Sequence, residues 1–244
     1  MCTVTYIPDE EGFFLTSNRD EKMMRKPAIL PGIYLHHHNK LIYPKDADAG
    51  GTWIAVNANG NTAVLLNGAF VKHTPQPPYV KSRGIIFIEI IEADEPFNKF
   101  SHINLNKIEP FTIILFDAGN LYECRWDGRM KYTKKLNKNL PQIWSSSTLY
   151  EDEVIKTREF WFKSWLTKCT TPNQHQILNF HQFNGNGDSH NAFIMNRDNE
   201  MLTVSITGIY RNNKNAMLQY IDLKENTHTE YRLEFSFAEP QIFQ

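Results

Sequence analysis

Short apolar, β-branched runs joined by tight-turn residues come in blocks along this chain, and helical patterns separate the blocks instead of alternating with single strands. Cys2–Ile7 and Phe13–Ser17 flank Asp9-Glu10-Glu11-Gly12, a hairpin turn. Trp53–Asn57 and Thr62–Leu66 flank Asn59-Gly60, the dipeptide suited to a type I′ turn because both central residues need positive φ. Thr112–Phe116, Leu121–Trp126 and Met130–Thr133 read as a meander, punctuated by Ala118-Gly119-Asn120 and Asp127-Gly128. Ala192–Asn196, Met201–Ile206, Met217–Asp222 and Thr229–Phe235 are expected to be strands again. Between these blocks, Glu151–Lys168 carries Val154, Trp161, Trp165 and Leu166 at helical spacing, and Pro172–Phe183 reads as a shorter helix. Gly84–Ala93 fits a buried helix or a strand by periodicity alone; helix is the reading adopted. Pro75-Gln76-Pro77-Pro78 is a loop. Strands, helix, strands, two helices, strands is the order of an α+β fold with two antiparallel sheets and outer helices, not of a βαβ fold. With no internal repeat, low-complexity tract or linker, residues 1–244 are expected to form one domain.

Charge and composition remove several classes of function. Lys and Arg number 26 against 27 Asp and Glu, so no basic excess selects for nucleic acid or an anionic membrane. The most apolar run, Ile85–Ile91, is far shorter than the ~18–20 residues of a membrane span and contains Glu89. The N-terminus lacks a basic region and meets Asp9, Glu10 and Glu11 early, unlike a secretory signal. Three cysteines, Cys2, Cys124 and Cys169, make no disulfide framework. A cytoplasmic protein is expected.

The chemistry-bearing candidates lie near the start. Removal of Met1 would leave Cys2 with a free α-amine of pKa ~7.7–8.0, able to take the proton of its own thiol. One residue then supplies nucleophile and base. The plainer alternative is a cysteine packed in the first strand. Ser17-Asn18-Arg19-Asp20-Glu21 closes the second strand of the first hairpin, so its polar groups are expected to converge on Cys2. Arg19 would hold a thiolate or substrate oxygen, and Asp20 would orient the α-ammonium. The plainer alternative here is a solvated ion pair in a surface turn.

Asn18-Arg19-Asp20-Glu21 resembles the signature of the NRDE family, also called transport-and-Golgi-organisation proteins. The resemblance continues through the Met1-Cys2 start, Arg25-Lys26-Pro27, Gly50-Gly51-Thr52-Trp53-Ile54, Ala63-Val64-Leu65-Leu66-Asn67, Ser82-Arg83-Gly84 and Ser146–Glu151, covering roughly residues 1–207. That family is similar in its N-terminal half to choloylglycine hydrolases, penicillin acylases and acyl-CoA-linked acyltransferases. The resemblance implies a four-layer αββα N-terminal-nucleophile hydrolase sandwich. It implies Cys2 as nucleophile, Arg19 and Asp20 as electrostatic partners and Asn67 as an oxyanion donor. It also implies Asn18, Ser147 and Asn191 as substrate contacts. Two positions depart from the relatives: Ser147 stands where they carry Asn, and Ser189, two residues before the retained Asn191, where they carry Arg.

No metal or other cofactor is expected. In a strand only His36 and His38 of the His36-His37-His38 run share a face, and no Cys or carboxylate pattern completes a zinc site. His175 and His181 are not spaced for joint ligation, and His73, His102 and His190 are isolated. Cys124 and Cys169 read as packing residues, and the aromatic residues around Trp161 as core. Gly185-Asn186-Gly187-Asp188 lacks the lysine of a phosphate loop. The functional expectation is an amidohydrolase or acyltransferase acting on a small linear amide or thioester. The alternative from another class is a non-catalytic carrier of a lipid-like, acyl-CoA or haem ligand on the same scaffold.

Overall fold

The computed structural model describes residues 3–37, 39–185 and 187–236. Cys2 and His38 lie outside the described residues. The first hairpin forms as expected: β1 (Thr3–Pro8) pairs with β2 (Gly12–Lys22), and Asp9 N–H donates to Gly12 O at 2.9 Å across the turn. β2 is longer than its apolar run. It continues through Asn18-Arg19-Asp20-Glu21, so the segment expected to close the strand lies within it, with Asn18, Arg19 and Asp20 buried. The cause is distant in sequence. β12 (Met201–Asn212) runs antiparallel to β2 from Gly12 to Lys22 and satisfies backbone groups that a terminal turn would leave to water.

Two seven-stranded sheets result, antiparallel throughout. In the first, β10 (Gln142–Ser145), β1, β2, β12, β13 (Asn215–Asp222) and β14 (Thr227–Glu234) follow in that order, with the short β11 (Asn196–Arg197) beside β12. The second runs β3 (Ile29–His36), β4 (Asn39–Lys45), β5 (Ile54–Asn57), β6 (Thr62–Asn67), β7 (Phe111–Asp117), β8 (Asn120–Trp126) and β9 (Lys131–Leu136). Alternation sorts side chains into layers. Phe13 and Leu15 join a core shared with Val64, Ile114 and Leu115 of the second sheet, and the Phe13 and Phe116 rings meet at 4.6 Å. Phe14, one residue away from each, turns to the opposite face and packs with Ile7, Phe162, Ile177, Phe180 and Phe193.

The helices cover the outer faces. α3 (Asp152–Leu166) and α4 (Gln174–Phe183) bring Phe162, Ile177 and Phe180 onto the first sheet. Asn173 and Gln176 form a capping box at the start of α4. α1 (Arg83–Ile91) buries Phe87 and Ile91 against the second sheet, and Ser82 caps it by accepting from Ile85 N–H. That resolves the ambiguous Gly84–Ala93 segment as helix. α2 (Pro96–His102) was not expected; Asp117 accepts its Phe97 N–H at 2.8 Å. The layers are therefore helices, sheet, sheet, helices, an α+β sandwich.

Three further differences have local causes. Ala192–Asn196 is not a continuous strand; only Asn196 and Arg197 pair with β12. The Ala192 and Phe193 carbonyls instead accept from the side chains of Arg158 and Asn18. β3 and β4 escaped the pattern because Pro31, Gly32 and Pro44 interrupt the apolar periodicity, and β3 carries a register irregularity between Ile29 and Gly32. β10 is only four residues long. No helix among the described residues is long and apolar enough to cross a membrane.

Candidate active site

The head of β1 sits between two strands. Thr3, bonded directly to Cys2, pairs with Asn18 of β2 on one side and Ser145 of β10 on the other. The next residue after Ser145 ties in the second sheet: Ser146 Oγ donates to the Asn67 carbonyl at 2.8 Å. Thr3, the Asn18–Glu21 segment, Ser145–Ser147 and the end of β6 thus meet at one end of the sandwich.

Strand alternation divides the Asn18–Glu21 segment between two environments. Arg19 enters the space between the sheets. Its Nη2 lies 2.8 Å from Asp46 and 3.5 Å from Glu21, and its guanidinium stacks 4.5 Å from the Trp53 ring centroid. Burial alone would raise the Asp46 pKa. The Ala49 N–H, Arg25, Arg19 and the Asp48 N–H outweigh it and hold the carboxyl below its usual range. Asp20 faces the helices instead, where it accepts from Tyr150 Oη at 2.6 Å and from Thr203 Oγ1. Arg19 and Asp20, expected to converge on one point, stand on opposite faces of β2.

Asn18 also faces the helices. Its Nδ2 donates to His181 O at 3.1 Å and Phe193 O at 2.8 Å, and its Oδ1 meets His181 Nδ1. Because that oxygen can only accept, Nδ1 carries the imidazole proton. Nε2 then accepts from Thr5 Oγ1 at 2.7 Å. Burial, with a contribution from Arg158, depresses the His181 pKa to about 3. Arg158 is the other group local sequence reading could not place. It is fully buried from the middle of α3, donates to Thr3 Oγ1, to Asn191 O at 3.0 Å and to Ala192 O at 2.6 Å, and lies 3.8 Å from the Tyr150 ring centroid.

Two cavities open where the strand ends meet. The larger, about 420 Å³, is lined by Arg19, Trp53, Asn67 and the start of α1. The smaller, about 190 Å³, is lined by Asn67, Ser147, Phe70, Trp144 and Arg125. Asn67 borders both, and its side-chain amide has no hydrogen-bond partner among the described residues. Ser147 Oγ is buried and likewise unpartnered among them. Asn191 lines neither cavity; its amide donates to Asp188 at 3.0 Å. Among the described residues no cluster of His, Cys, Asp and Glu is placed to hold a metal; His36 instead meets Tyr43 Oη at 2.7 Å and Glu92 at 3.3 Å.

Residues 1–178 of the 244 match the family described as Transport and Golgi organisation 2. The chain belongs to that family. The match contains the Asn18–Glu21 segment, both strands that frame Thr3, and Asn67. No curated protein matches this family member by sequence. Solved structures do match it in fold. One is a Caenorhabditis elegans ortholog of N-acylethanolamine-hydrolyzing acid amidase, at 13% identity and TM-score 0.57, covering 85% of this chain and 92% of that one. Another is a cysteine-to-alanine mutant of the conjugated bile acid hydrolase of Clostridium perfringens, at 10% identity and TM-score 0.55, covering 99% and 100%. These likenesses establish the N-terminal-nucleophile hydrolase fold for this member of the Transport and Golgi organisation 2 family.

Proposed function

We propose that this protein is an N-terminal-nucleophile amidohydrolase or acyltransferase for a small linear amide or thioester, with Cys2 as nucleophile. The observation that carries the reading is the free side-chain amide of Asn67, which faces cavities beside the head of the strand that begins one residue after Cys2. Once Met1 is removed, the Cys2 α-amine takes the thiol proton and Sγ attacks the substrate carbonyl. The oxygen of the tetrahedral intermediate becomes an anion, and Asn67 Nδ2 donates to it. Such a donor contributes about 2.7–4 kcal/mol in comparable sites. Collapse breaks the bond to the leaving amine or thiol, which takes the proton from the α-ammonium. Water, activated by the same amine, then releases the acid from acyl-Cys2; another nucleophile in its place makes the reaction a transfer. Arg19 supplies positive potential on the cavity side of β2. Asp20 braces the opposite face through Tyr150 and Thr203, as Asn18 does through His181 and Phe193. Of the three expected substrate contacts only Ser147 borders a cavity beside Asn67, and Asn18 and Asn191 lie away from both.

The test combines intact mass with a substrate screen. Native protein should lack Met1 and should gain an acyl mass at Cys2 when offered activated amides and acyl thioesters. Cys2→Ala should abolish both adduct and turnover. No adduct across a broad panel, with a lipid-like ligand bound equally by wild type and Cys2→Ala, would replace the hydrolase with a carrier.

A further inference from the structure

Four large apolar side chains stand in water at one end of the second sheet: Phe70 at 53% exposed, Val71 at 73%, Met130 at 59% and Tyr132 at 40%. Phe70 and Val71 follow the end of β6, Met130 closes the turn between β8 and β9, and Tyr132 lies in β9. These segments meet. The Phe70 and Tyr132 ring centroids are 5.0 Å apart. Pro110 joins both loops, accepting from Gly68 N–H at 3.0 Å and lying 3.5 Å from where a Cβ on Gly128 would stand. Single exposed apolar residues are ordinary on a protein surface; a group of four in one place is not.

Cations surround the group. Residues 70–72 and 123–134 hold Lys72, Arg125, Arg129, Lys131 and Lys134 against Glu123 and Asp127, in a chain whose net charge is −1. Arg125 is paired with Glu123 at 2.9 Å. None of the other four has a carboxylate within 4.0 Å among the described residues. The balanced total of the whole chain therefore hides a local excess. β9 ends its sheet, and lysines on it alone would be the usual protection of an open edge. Edge protection explains neither Lys72 and Arg129, which lie in loops, nor the apolar side chains among them. A nucleic acid would match the charge, but Val71 and Met130, the two most exposed, offer a base no ring to stack on. The headgroup layer of an anionic bilayer matches both features.

The group also borders the smaller cavity. Phe70 and Arg125 line that cavity together with Asn67 and Ser147, and the Arg125 guanidinium lies 4.8 Å from the Phe70 ring centroid. Half-exposed Phe70 thus stands at the cavity mouth.

We propose that this end of the molecule docks on an anionic lipid bilayer. Phe70, Val71, Met130 and Tyr132 enter the headgroup layer, and Lys72, Arg129, Lys131 and Lys134 meet the lipid phosphates and carboxylates. Docked in this way, the smaller cavity opens beside the membrane, and an amphiphilic amide or thioester reaches Asn67 from the lipid. That delivery role rests on the amidohydrolase reading; the docking surface does not.

Co-sedimentation of the full chain with vesicles tests the surface. Phosphatidylcholine vesicles containing about one-third phosphatidylserine should bind it and pure phosphatidylcholine vesicles should not, because the anionic lipid supplies the attraction. Raising the salt from about 0.05 M to about 0.5 M should weaken binding. Lys72→Gln and Arg129→Gln should each lower the partition coefficient about fivefold, the share of one cation near such a surface. Val71→Ser and Met130→Ser should each lower it about fivefold or more. Lys214→Gln should change nothing: Lys214 follows β12 where Arg211 meets Gly60, before β6 begins and so at the end away from Asn67. All five positions are exposed, so each variant leaves the core intact. No binding to the anionic vesicles would overturn the proposal, as would binding left at full strength by Val71→Ser and Met130→Ser, or weakened equally by Lys214→Gln. Displacement from the vesicles by a single-stranded oligonucleotide would assign the surface to nucleic acid instead. Vesicle binding, equal in wild type and Cys2→Ala, without any acyl adduct at Cys2 would leave the surface standing and remove only the hydrolase; an adduct without vesicle binding would do the reverse.

Discussion

Ser146 Oγ donates to the main-chain carbonyl of Asn67 at 2.8 Å, locking the end of β6 to the residue that follows β10. Ser145, its neighbour, pairs with Thr3, so one short path joins the proposed oxyanion donor to the strand behind the proposed nucleophile. The link makes the position of Asn67 sensitive to a residue that never meets substrate. Asn67→Ala should lower turnover by about 10²–10³ with little change in melting temperature, as expected for one oxyanion donor. Ser146→Ala should lower kcat more modestly and leave KM near its wild-type value, since it loosens the donor without removing it. Steady-state kinetics on any accepted amide or thioester would separate the two. An Asn67→Ala enzyme of full activity would take Asn67 out of the oxyanion site.

What the sequence disclosed depended on how local each cause is. The hairpin around Asn59-Gly60 and the amphipathic pattern of Glu151–Lys168 are set by near neighbours, and both elements formed, although Gly60 alone of the pair takes a positive φ, so the turn is not the type I′ expected. The extension of β2 was hidden because its partner, β12, lies some 180 residues away, and an Asn-Arg-Asp-Glu run looks like solvent-facing chain until that strand covers it. The resemblance singled out Arg19 and Asp20 together, but a strand with a period of two sends adjacent residues to opposite faces. Arg158 and His181 left no local trace. An arginine in a charged helix and a lone histidine gain their roles only from Thr3, Thr5 and Asn18, more than 150 residues away.

His181 should make the fold acid-sensitive. Its folded pKa of about 3 lies below the ~6.5 of an unfolded histidine. Above pH ~6.5 both states are neutral and the group has no effect on stability. As the pH falls below that value, the unfolded chain takes up a proton that the folded chain refuses, and stability drops by at most about 1.36 kcal/mol per pH unit. Urea unfolding of wild type and His181→Gln between pH 7.5 and 5 isolates this proton from the other titrating groups. The variant should start less stable, losing the bonds to Thr5 and Asn18, but show the shallower decline. Parallel declines would mean that His181 accepts its proton within the folded protein.

Arg158 should be worth more to stability than any surface cation. Four of its five N–H groups are used on Thr3, Asn191 and Ala192, and no carboxylate lies within 4.0 Å of it among the described residues. Arg158→Met keeps much of the aliphatic bulk but leaves those oxygens without the donors that the buried guanidinium supplies, and hydrogen bonds to charged groups contribute about 1.5–3 kcal/mol each. A loss of about 3 kcal/mol or more is therefore expected in denaturant unfolding. Arg158→Lys should recover little, because an ammonium cannot reproduce the planar fork that reaches all three acceptors. A fully stable lysine variant would show that charge alone, and not the fork, is what the site requires.

The three thiols should differ sharply in reactivity, and the order bears directly on the proposed nucleophile. Cys124 lies fully buried in β8, where burial, with Glu123 and Asp117 adding to it, pushes its pKa up to about 12. At neutral pH it is almost entirely a thiol, shielded from reagent, and should be alkylated only when the protein unfolds. Cys169 follows α3, is partly exposed and has Lys168 beside it, so a slow reaction typical of an ordinary surface thiol is expected. Cys2, which carries its own α-ammonium once Met1 is removed, should react first, at a rate that persists below pH 7, where an ordinary thiol of pKa ~8.5 is mostly protonated. Limiting iodoacetamide at pH 6 and 8, followed by peptide mapping, gives all three rates. Cys169 labelling ahead of Cys2 at both pH values would mean that no thiolate-favouring environment surrounds Cys2, and the acyl-enzyme mechanism would fall with it.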